Sequence, residues 1–279
     1  MNIINAIINL VNNPITELKE YYYSRNRANS MGDALEEYVK DLFTNTFNSN
    51  VEERLEKIQR VFSYTGNNNN PPDAMLRGGD AIEIKKIENN NSALALNSSY
   101  PKQTVHKDSP MISQACRISE DWEEKDLIYS VGVISGNNLK SLCFVYGSDY
   151  AAEDSTYRRI KTTIKNGVES IPNVEFSETK ELGRVNKVDP LGITYLRVRG
   201  MWGIENPWSV FDYIYKREFN SEFEFMCIIN EDKWNSFNNI SELMMLEEIN
   251  EKLRIKDVKI KNPDNPSQLK NAKLIVYTK

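Results

Sequence analysis

Pro71-Pro72-Asp73-Ala74-Met75-Leu76-Arg77-Gly78-Gly79-Asp80-Ala81-Ile82-Glu83-Ile84-Lys85-Lys86 is the stretch on which the reading of this chain turns. The Gly78-Gly79 pair divides it into two extended arms, so residues 72–87 read as a β-hairpin. In the second arm Ile82, Ile84 and Ile87 are apolar, while Glu83 and Lys85 alternate onto the opposite face. A two-residue Gly78-Gly79 loop would pair Asp73 with Ile84 and turn it away from Glu83. A three-residue Gly78-Gly79-Asp80 loop pairs Arg77 with Ala81 and sets Asp73 opposite Lys85. The second register is preferred, because it gathers Asp73, Glu83 and Lys85 on one face. Metal-assisted phosphodiester cleavage uses such a set: carboxylates hold a cation against the phosphate, and a lysine stands beside the attacking water. The plainer reading is a hairpin with a solvated polar face, since short acidic and basic strings recur by chance.

The asparagine-rich stretches at 66–70 and 89–91 flank this hairpin as loops. Upstream, Ser30 or Asp33 caps a helix through residues 34–43, with Leu35, Val39 and Leu42 on one face. Isoleucines at 3, 4, 7 and 8 read as an amphipathic helix and not as a signal peptide. Further helices are expected over 51–61, 109–125, 155–166, 207–217 and 241–253. Strands are expected over 127–134 and 142–146, joined at Gly136-Asn137-Asn138, and again at 193–199, 223–229 and 273–278. Helices and strands interleave, which points to one α/β domain over 1–279, a mixed central sheet flanked by helices.

Composition narrows the chemistry. The sequence holds a single histidine, His106, so two-histidine nuclease and metallohydrolase sites are excluded. A Ser-His-Asp triad would need that same residue, and no GxSxG elbow accompanies it. Hydrolysis therefore falls to carboxylates, lysine and a hard cation such as Mg²⁺. Cys116, Cys143 and Cys227 are isolated and odd in number, which argues against a disulfide framework and fits a cytoplasmic protein. No apolar run approaches the roughly 20 residues of a membrane helix. A net charge of −5 weighs mildly against nucleic acid, but residues 184–203 carry a local +3 and residues 252–279 a local +6. For the C-terminal run, ordinary solvated charge is the simpler account.

The Asp73…Glu83-Ile84-Lys85 string resembles the active site of PD-(D/E)XK nucleases. Those enzymes commonly carry a third acidic group on an upstream helix; here that is Glu36, with Glu37 as its rival. The resemblance extends beyond the string. Asn26-Arg27-Ala28-Asn29, Gly32 to Phe43, Asn69 to Arg77, Ala95-Leu96-Asn97-Ser98-Ser99-Tyr100-Pro101-Lys102, Arg197 to Trp208 and Lys261 to Pro266 are similar to the NgoPII family of restriction enzymes. This implies a PD-(D/E)XK fold and a type II restriction endonuclease that cuts duplex DNA within GGCC, with Mg²⁺ as cofactor. Asp73, Glu83 and Lys85 would be catalytic, and Asp73, Glu83 and Glu36 would hold the metal. It also implies a DNA methyltransferase as genetic partner. A homodimer is expected, because a two-fold protein matches a palindromic site. The competing classes are a repair nuclease or junction resolvase of the same fold, and a catalytically silent DNA binder.

Guanine edges are read most often by arginine or lysine. Arg197 and Arg199 alternate with Leu196 and Val198, so both arginines project from one strand face while the leucine and valine enter the core. Together with Arg184 they are candidate DNA contacts, their plain alternative being an edge strand with solvated arginines. Asn97, Ser98, Ser99 and Lys102 are further candidates, although Asn and Ser also favour simple turns. Trp202 and Trp208 read as core aromatics. Lys86 points away from Lys85, and His106 is assigned no role.

Overall fold

The structure, a computed structural model, describes residues 1–23, 27–67, 69–217 and 221–279. Asn26, at the start of one quoted segment, lies outside the described residues. Four helices come first: α1 Ile3–Asn12, α2 Leu18–Tyr23, α3 Met31–Thr44 and α4 Val51–Val61. They lead into β1 Phe62–Tyr64, β2 Ala74–Leu76, β3 Ala81–Ile87, β4 Leu94–Asn97 and β5 Thr104–His106. After the single turn α5 Gln114–Arg117 comes the long hairpin β6 Glu124–Ser135 and β7 Asn138–Tyr146. Next are α6 Gly147–Tyr150, α7 Asp154–Glu169, β8 Glu175–Phe176, β9 Gly183–Asn186, β10 Leu196–Val198 and β11 Trp202–Ile204. The chain continues through α8 Pro207–Val210, β12 Glu224–Asn230, α9 Glu231–Asn235, α10 Ile240–Ile249, β13 Leu253–Asn262 and β14 Asn265–Thr278.

A nine-stranded sheet runs in the order β1-β2-β3-β6-β7-β12-β14-β13, with β5 beside β6. It is mixed, as expected: β3 with β6 and β7 with β12 are parallel, and the remaining pairs are antiparallel. One face carries Ile82, Ile84, Phe144 and Phe225 against Ile3, Ile7, Leu35 and Leu42 of α1 and α3. Tyr129, Val131, Cys143, Met226 and Trp208 belong to the core on the other face. The alternation along β3 therefore sends Ile82 and Ile84 under the helices, and Glu83, Lys85 and Ile87 to the opposite side. Ser30 caps α3, with Asp33 closing the capping box. Beneath α3 the buried Asp41 accepts from Tyr22 and Thr46 and pairs with Arg54 at 2.8 Å, which locks α3 to α4.

Several expectations need correction. The register of the central hairpin is Met75 with Ala81 and Ala74 with Ile82, so the three loop residues are Arg77-Gly78-Gly79. Asp80 is excluded from the loop because it is buried, accepting from Tyr146 and pairing with Lys233 at 2.7 Å. Gly78 holds φ +63°, the left-handed conformation that the loop needs. The helix expected over 109–125 shrinks to α5, because Arg117 and Ser119 side chains bond local carbonyls and close the chain into turns. The 207–217 helix is one turn long, and Arg217 instead reaches Glu224 at 3.1 Å. At 241–253 the helix stops at Ile249, and Leu253 already begins β13. The strand expected over 193–199 covers only 196–198, and Leu196 is 52% exposed, so it does not enter the core. Cys116, Cys143 and Cys227 are buried free thiols. No helix among the described residues is long and apolar enough to cross a membrane.

Candidate active site

Antiparallel β2 ends at Ala74, so from Glu83 onward β3 has a ladder partner only in β6. Asp73, just outside β2, fills part of the gap with its side chain and accepts the backbone N–H of Ile84 at 2.6 Å. That contact brings its carboxylate to the pair on β3. The Lys85 ammonium lies 2.6 Å from Glu83 Oε1 and 4.0 Å from Asp73 Oδ2. The three groups therefore share one site, although the hairpin register differs from the preferred one. The register moves by two residues along β3, from Lys85 to Glu83 opposite Asp73, which leaves the face unchanged.

Glu83 is the stressed member. Burial, and then the Asp73 charge, push its carboxyl up to about 7, against the opposing pull of Lys85. Its Oε2 is buried with no hydrogen-bond partner. A bare carboxylate oxygen beside a second carboxylate attracts a cation. At present Lys85 supplies that charge, and although burial works against its protonation, Glu83 and Asp73 outweigh it and hold its pKa up. The donors are all oxygens, which suits a hard divalent ion. Among the described residues no three Asp, Glu, His or Cys side chains converge as a closed cage, so the fit rests on Asp73 and Glu83.

The two helix carboxylates have separate surroundings. Glu37 pairs with Arg54 at 2.6 Å and Lys40 at 3.2 Å, so it belongs to the network that joins α3 to α4. Among the described residues Glu36 ion-pairs only with Lys40, at 4.0 Å, and its carboxyl is raised by burial and then by Asp73. Glu36 thus senses the charge at the site, while Glu37 is tied to neighbouring cations.

Ser99, Tyr100 and Lys102 line a small pocket together with Glu83 and Tyr129. The same three residues also line a larger cleft of about 440 Å³, with Ser98, Arg158 and Lys161. Asn97 ends β4 in the left-handed conformation, φ 51°, and the Ser99 N–H closes a turn onto Leu96. Lys86 is turned outward to Glu88, and His106 is an exposed residue beside Glu124. Trp208 is a core aromatic, whereas Trp202 is half-buried, edge-on to Tyr100 and Tyr157.

Arg184 and Arg197 sit on the separate sheet β8-β9-β10, and Arg199 lies one residue past the end of β10. Arg197 and Arg199 do project together, since both ion-pair with Glu181, at 2.6 and 2.7 Å. Arg184 is opposite Arg197 across β9–β10, its guanidinium 4.9 Å from the ring centroid of Tyr195. Ser98 and Glu181 line one small cleft, which joins this sheet to the 97–102 loop. Sequence reasoning missed Tyr129, Arg158 and Lys161. Tyr129 had a signal available, because it is the register partner of Glu83 on β6.

Residues 1–261 match the family described as NgoPII restriction endonuclease. The chain is 60% identical over 278 residues, 99% of either chain, to a protein named type II restriction enzyme NgoPII from Neisseria gonorrhoeae. No solved structure matches it.

Proposed function

The chain belongs to the NgoPII restriction endonuclease family, and from that premise we propose that it cuts duplex DNA within GGCC, using Asp73, Glu83 and Lys85 with Mg²⁺. Membership makes it a type II restriction enzyme, a site-specific deoxyribonuclease, so the repair and junction-resolving alternatives fall away. The observation that carries the proposed site is Glu83, whose Oε2 is buried and unpartnered while its Oε1 meets Lys85 at 2.6 Å, with the Asp73 carboxylate 4.0 Å from the same ammonium. A silent DNA binder has no use for that charge arrangement next to phosphates.

In this reading Asp73 and Glu83 hold Mg²⁺, with Glu36 in support from α3. The bound ion would supply Lewis acidity and an acidified water. Lys85, 2.6 Å from Glu83 Oε1, would orient the attacking water. Asp73 is pre-positioned by the Ile84 N–H, so little rearrangement precedes binding. Asn97, Ser98, Ser99 and Lys102 are the proposed contacts nearest the cut, and Arg184, Arg197 and Arg199 contact the neighbouring duplex. GGCC is supported by the resemblance described above, and its palindromy favours a homodimer. The reading also calls for a methyltransferase that protects host DNA, and a cytoplasmic location suits an enzyme whose cysteines are all free.

The test is to incubate the purified protein with plasmid DNA and Mg²⁺ and to sequence the fragment ends. Ends that all fall within GGCC support the proposal, and intact plasmid or scattered ends sink it. Mass measurement of the Ca²⁺-bound complex on a GGCC duplex should give two chains per duplex. One chain per duplex would remove the dimer.

A further inference from the structure

Lys102 is a half-buried lysine whose ammonium has only neutral partners: Ser99 Oγ at 3.1 Å, the Tyr100 carbonyl at 3.5 Å and the Tyr100 ring at 4.3 Å. No carboxylate among the described residues ion-pairs with it. A cation taken partly out of water without a counter-ion is costly, and it is retained where an anion arrives. Burial holds its pKa below the ordinary lysine range, against weaker opposing pulls from Asp154 and Glu83. Lys102 therefore stands where the Glu83 pocket meets the larger cleft.

Its backbone is fixed from two sides. Tyr129, the register partner of Glu83 on β6, receives the Lys102 N–H at 2.8 Å and donates to the Lys102 carbonyl at 3.2 Å. On the other side Gly147 packs so closely that an added Cβ would stand 2.4 Å from the Lys102 carbonyl oxygen and 2.5 Å from that of Gln103. Such immobilisation suits a charge that must be aimed, more than one that merely attracts DNA. The strand that carries Glu83 and the strand that clamps Lys102 are immediate neighbours, so the spacing between carboxylate and ammonium is set by sheet geometry.

We propose that Lys102 is a second catalytic lysine, contacting the non-bridging oxygens of the scissile phosphate, and that Tyr129 is its positioning residue. The proposal rests on the reading of Asp73, Glu83 and Lys85 as the nuclease site. Hydrolysis makes one phosphorus–oxygen bond to water and breaks one to the departing deoxyribose oxygen, which leaves protonated. Negative charge accumulates on the two non-bridging oxygens between those events, and Lys102 neutralises it. Lys85 is less free for this task, because it lies against Glu83 and Asp73.

The experiment uses the full chain, with single-turnover cleavage of a GGCC duplex in Mg²⁺ and duplex affinity measured separately in Ca²⁺. Lys102→Met should slow the cleavage step about 100-fold or more, while affinity changes by less than about fivefold. Lys102→Arg should recover at least about tenfold of that loss. Tyr129→Phe should slow cleavage by itself and add almost nothing in the Lys102→Met background, because it acts through Lys102. A purely structural tyrosine would cause the same loss in both backgrounds. Lys102→Gln is the second neutral variant, read in the same way if the methionine variant loses its cooperative melt. Wild-type cleavage by a folded neutral variant overturns the proposal, and so does a loss confined to affinity. Glu83→Gln separates the two readings, since if it cleaves normally the nuclease site itself has been misplaced.

Discussion

The carboxylate of Asp73 accepts the backbone N–H of Ile84 at 2.6 Å. One residue thereby completes the β3 backbone and presents negative charge to the pocket. The two duties separate by substitution. Asp73→Asn keeps an oxygen acceptor for Ile84 and removes the charge, so the fold should melt near the wild-type temperature while cleavage drops by about 1,000-fold. Asp73→Ala should lose activity and also about 1–2 kcal/mol of stability, by leaving the Ile84 N–H without its acceptor. Thermal melts and cleavage assays on both variants check this. Equal stability of the two would show that the hydrogen bond contributes nothing. A solvated polar face would leave both acidic residues in water, but the Asp73 and Glu83 side chains are only 20% and 14% exposed.

Glu83 should imprint a pH dependence on stability. Its carboxyl is raised from 4.5 to about 7 in the folded protein, chiefly by burial and next by Asp73. The folded state therefore binds more protons than the unfolded chain between those values, and stability falls as pH rises through the window. Without divalent metal, the melting temperature of the wild type relative to Glu83→Gln should decline from about pH 5 to about pH 8. Mg²⁺ or Ca²⁺ should restore it at the upper pH far more than at the lower, because a cation favours the ionised form. Differential scanning fluorimetry at fixed ionic strength is enough. A metal effect of the same size at both pH values would falsify the link between the raised carboxyl and the ion.

Adjacent residues on α3 should fail in opposite ways. Glu37→Ala removes the partner of Arg54 and Lys40, and should cost about 1–3 kcal/mol of stability. Glu36 has only the long 4.0 Å contact to Lys40 among the described residues, so Glu36→Ala should stay within about 0.5 kcal/mol of wild type, yet slow cleavage about tenfold or more. Denaturant titration paired with kinetics on each variant decides the matter. If Glu37→Ala cuts slowly without being destabilised, the helix carboxylate has been assigned to the wrong residue.

Much of this arrangement was readable before any coordinates. The apolar spacing of Leu35, Val39 and Leu42 marked α3, and Val51–Val61 coincides with the helix expected at 51–61. The long apolar runs of β6 and β7 were unmistakable because both strands are buried on the two faces of the sheet. Asp73, Glu83 and Lys85 came from a local pattern, and pattern parity protected their common face even though the register slipped by two residues. The register itself was not legible, because it depends on Asp80 being drawn inward by Tyr146 and Lys233, residues far away in the chain. Nor was β13: an edge strand with half of its side chains exposed, it is crowded with charge. Tyr129 and Gly147 were missed for a related reason, since their contacts to Lys102 are to its backbone.

Arg197 and Arg199 share one counter-ion, so they should behave as a pair. Each change to Ala should weaken GGCC binding by about 1–3 kcal/mol if the side chain reads a guanine edge, and narrow the lead over a scrambled duplex. If they touch phosphates, binding should fall alike for every sequence, and the salt slope should shrink by about one per contact. Glu181→Gln should tighten binding in either case, because DNA no longer competes with that carboxylate. Titrations in Ca²⁺ at two salt concentrations distinguish these outcomes. Unchanged binding in all three variants would take the small sheet off the DNA.

The position of β14 bears on when the sheet can close during synthesis. Residues 272–278 form an interior strand, pairing with β12 on one side and β13 on the other. At the tip of the β13–β14 hairpin, Asp264 bonds Gln103 and the Glu153 N–H, next to Lys102. A ribosome that has not yet released this segment holds a chain whose sheet is open along β12 and whose Lys102 loop lacks that tether. Synthesis thus has a built-in delay, in which the sheet stays unfinished until β14 has emerged. Chains stalled before Asn265 should be digested by protease as readily as an unfolded polypeptide, and protection of such chains would show that the delay does not exist.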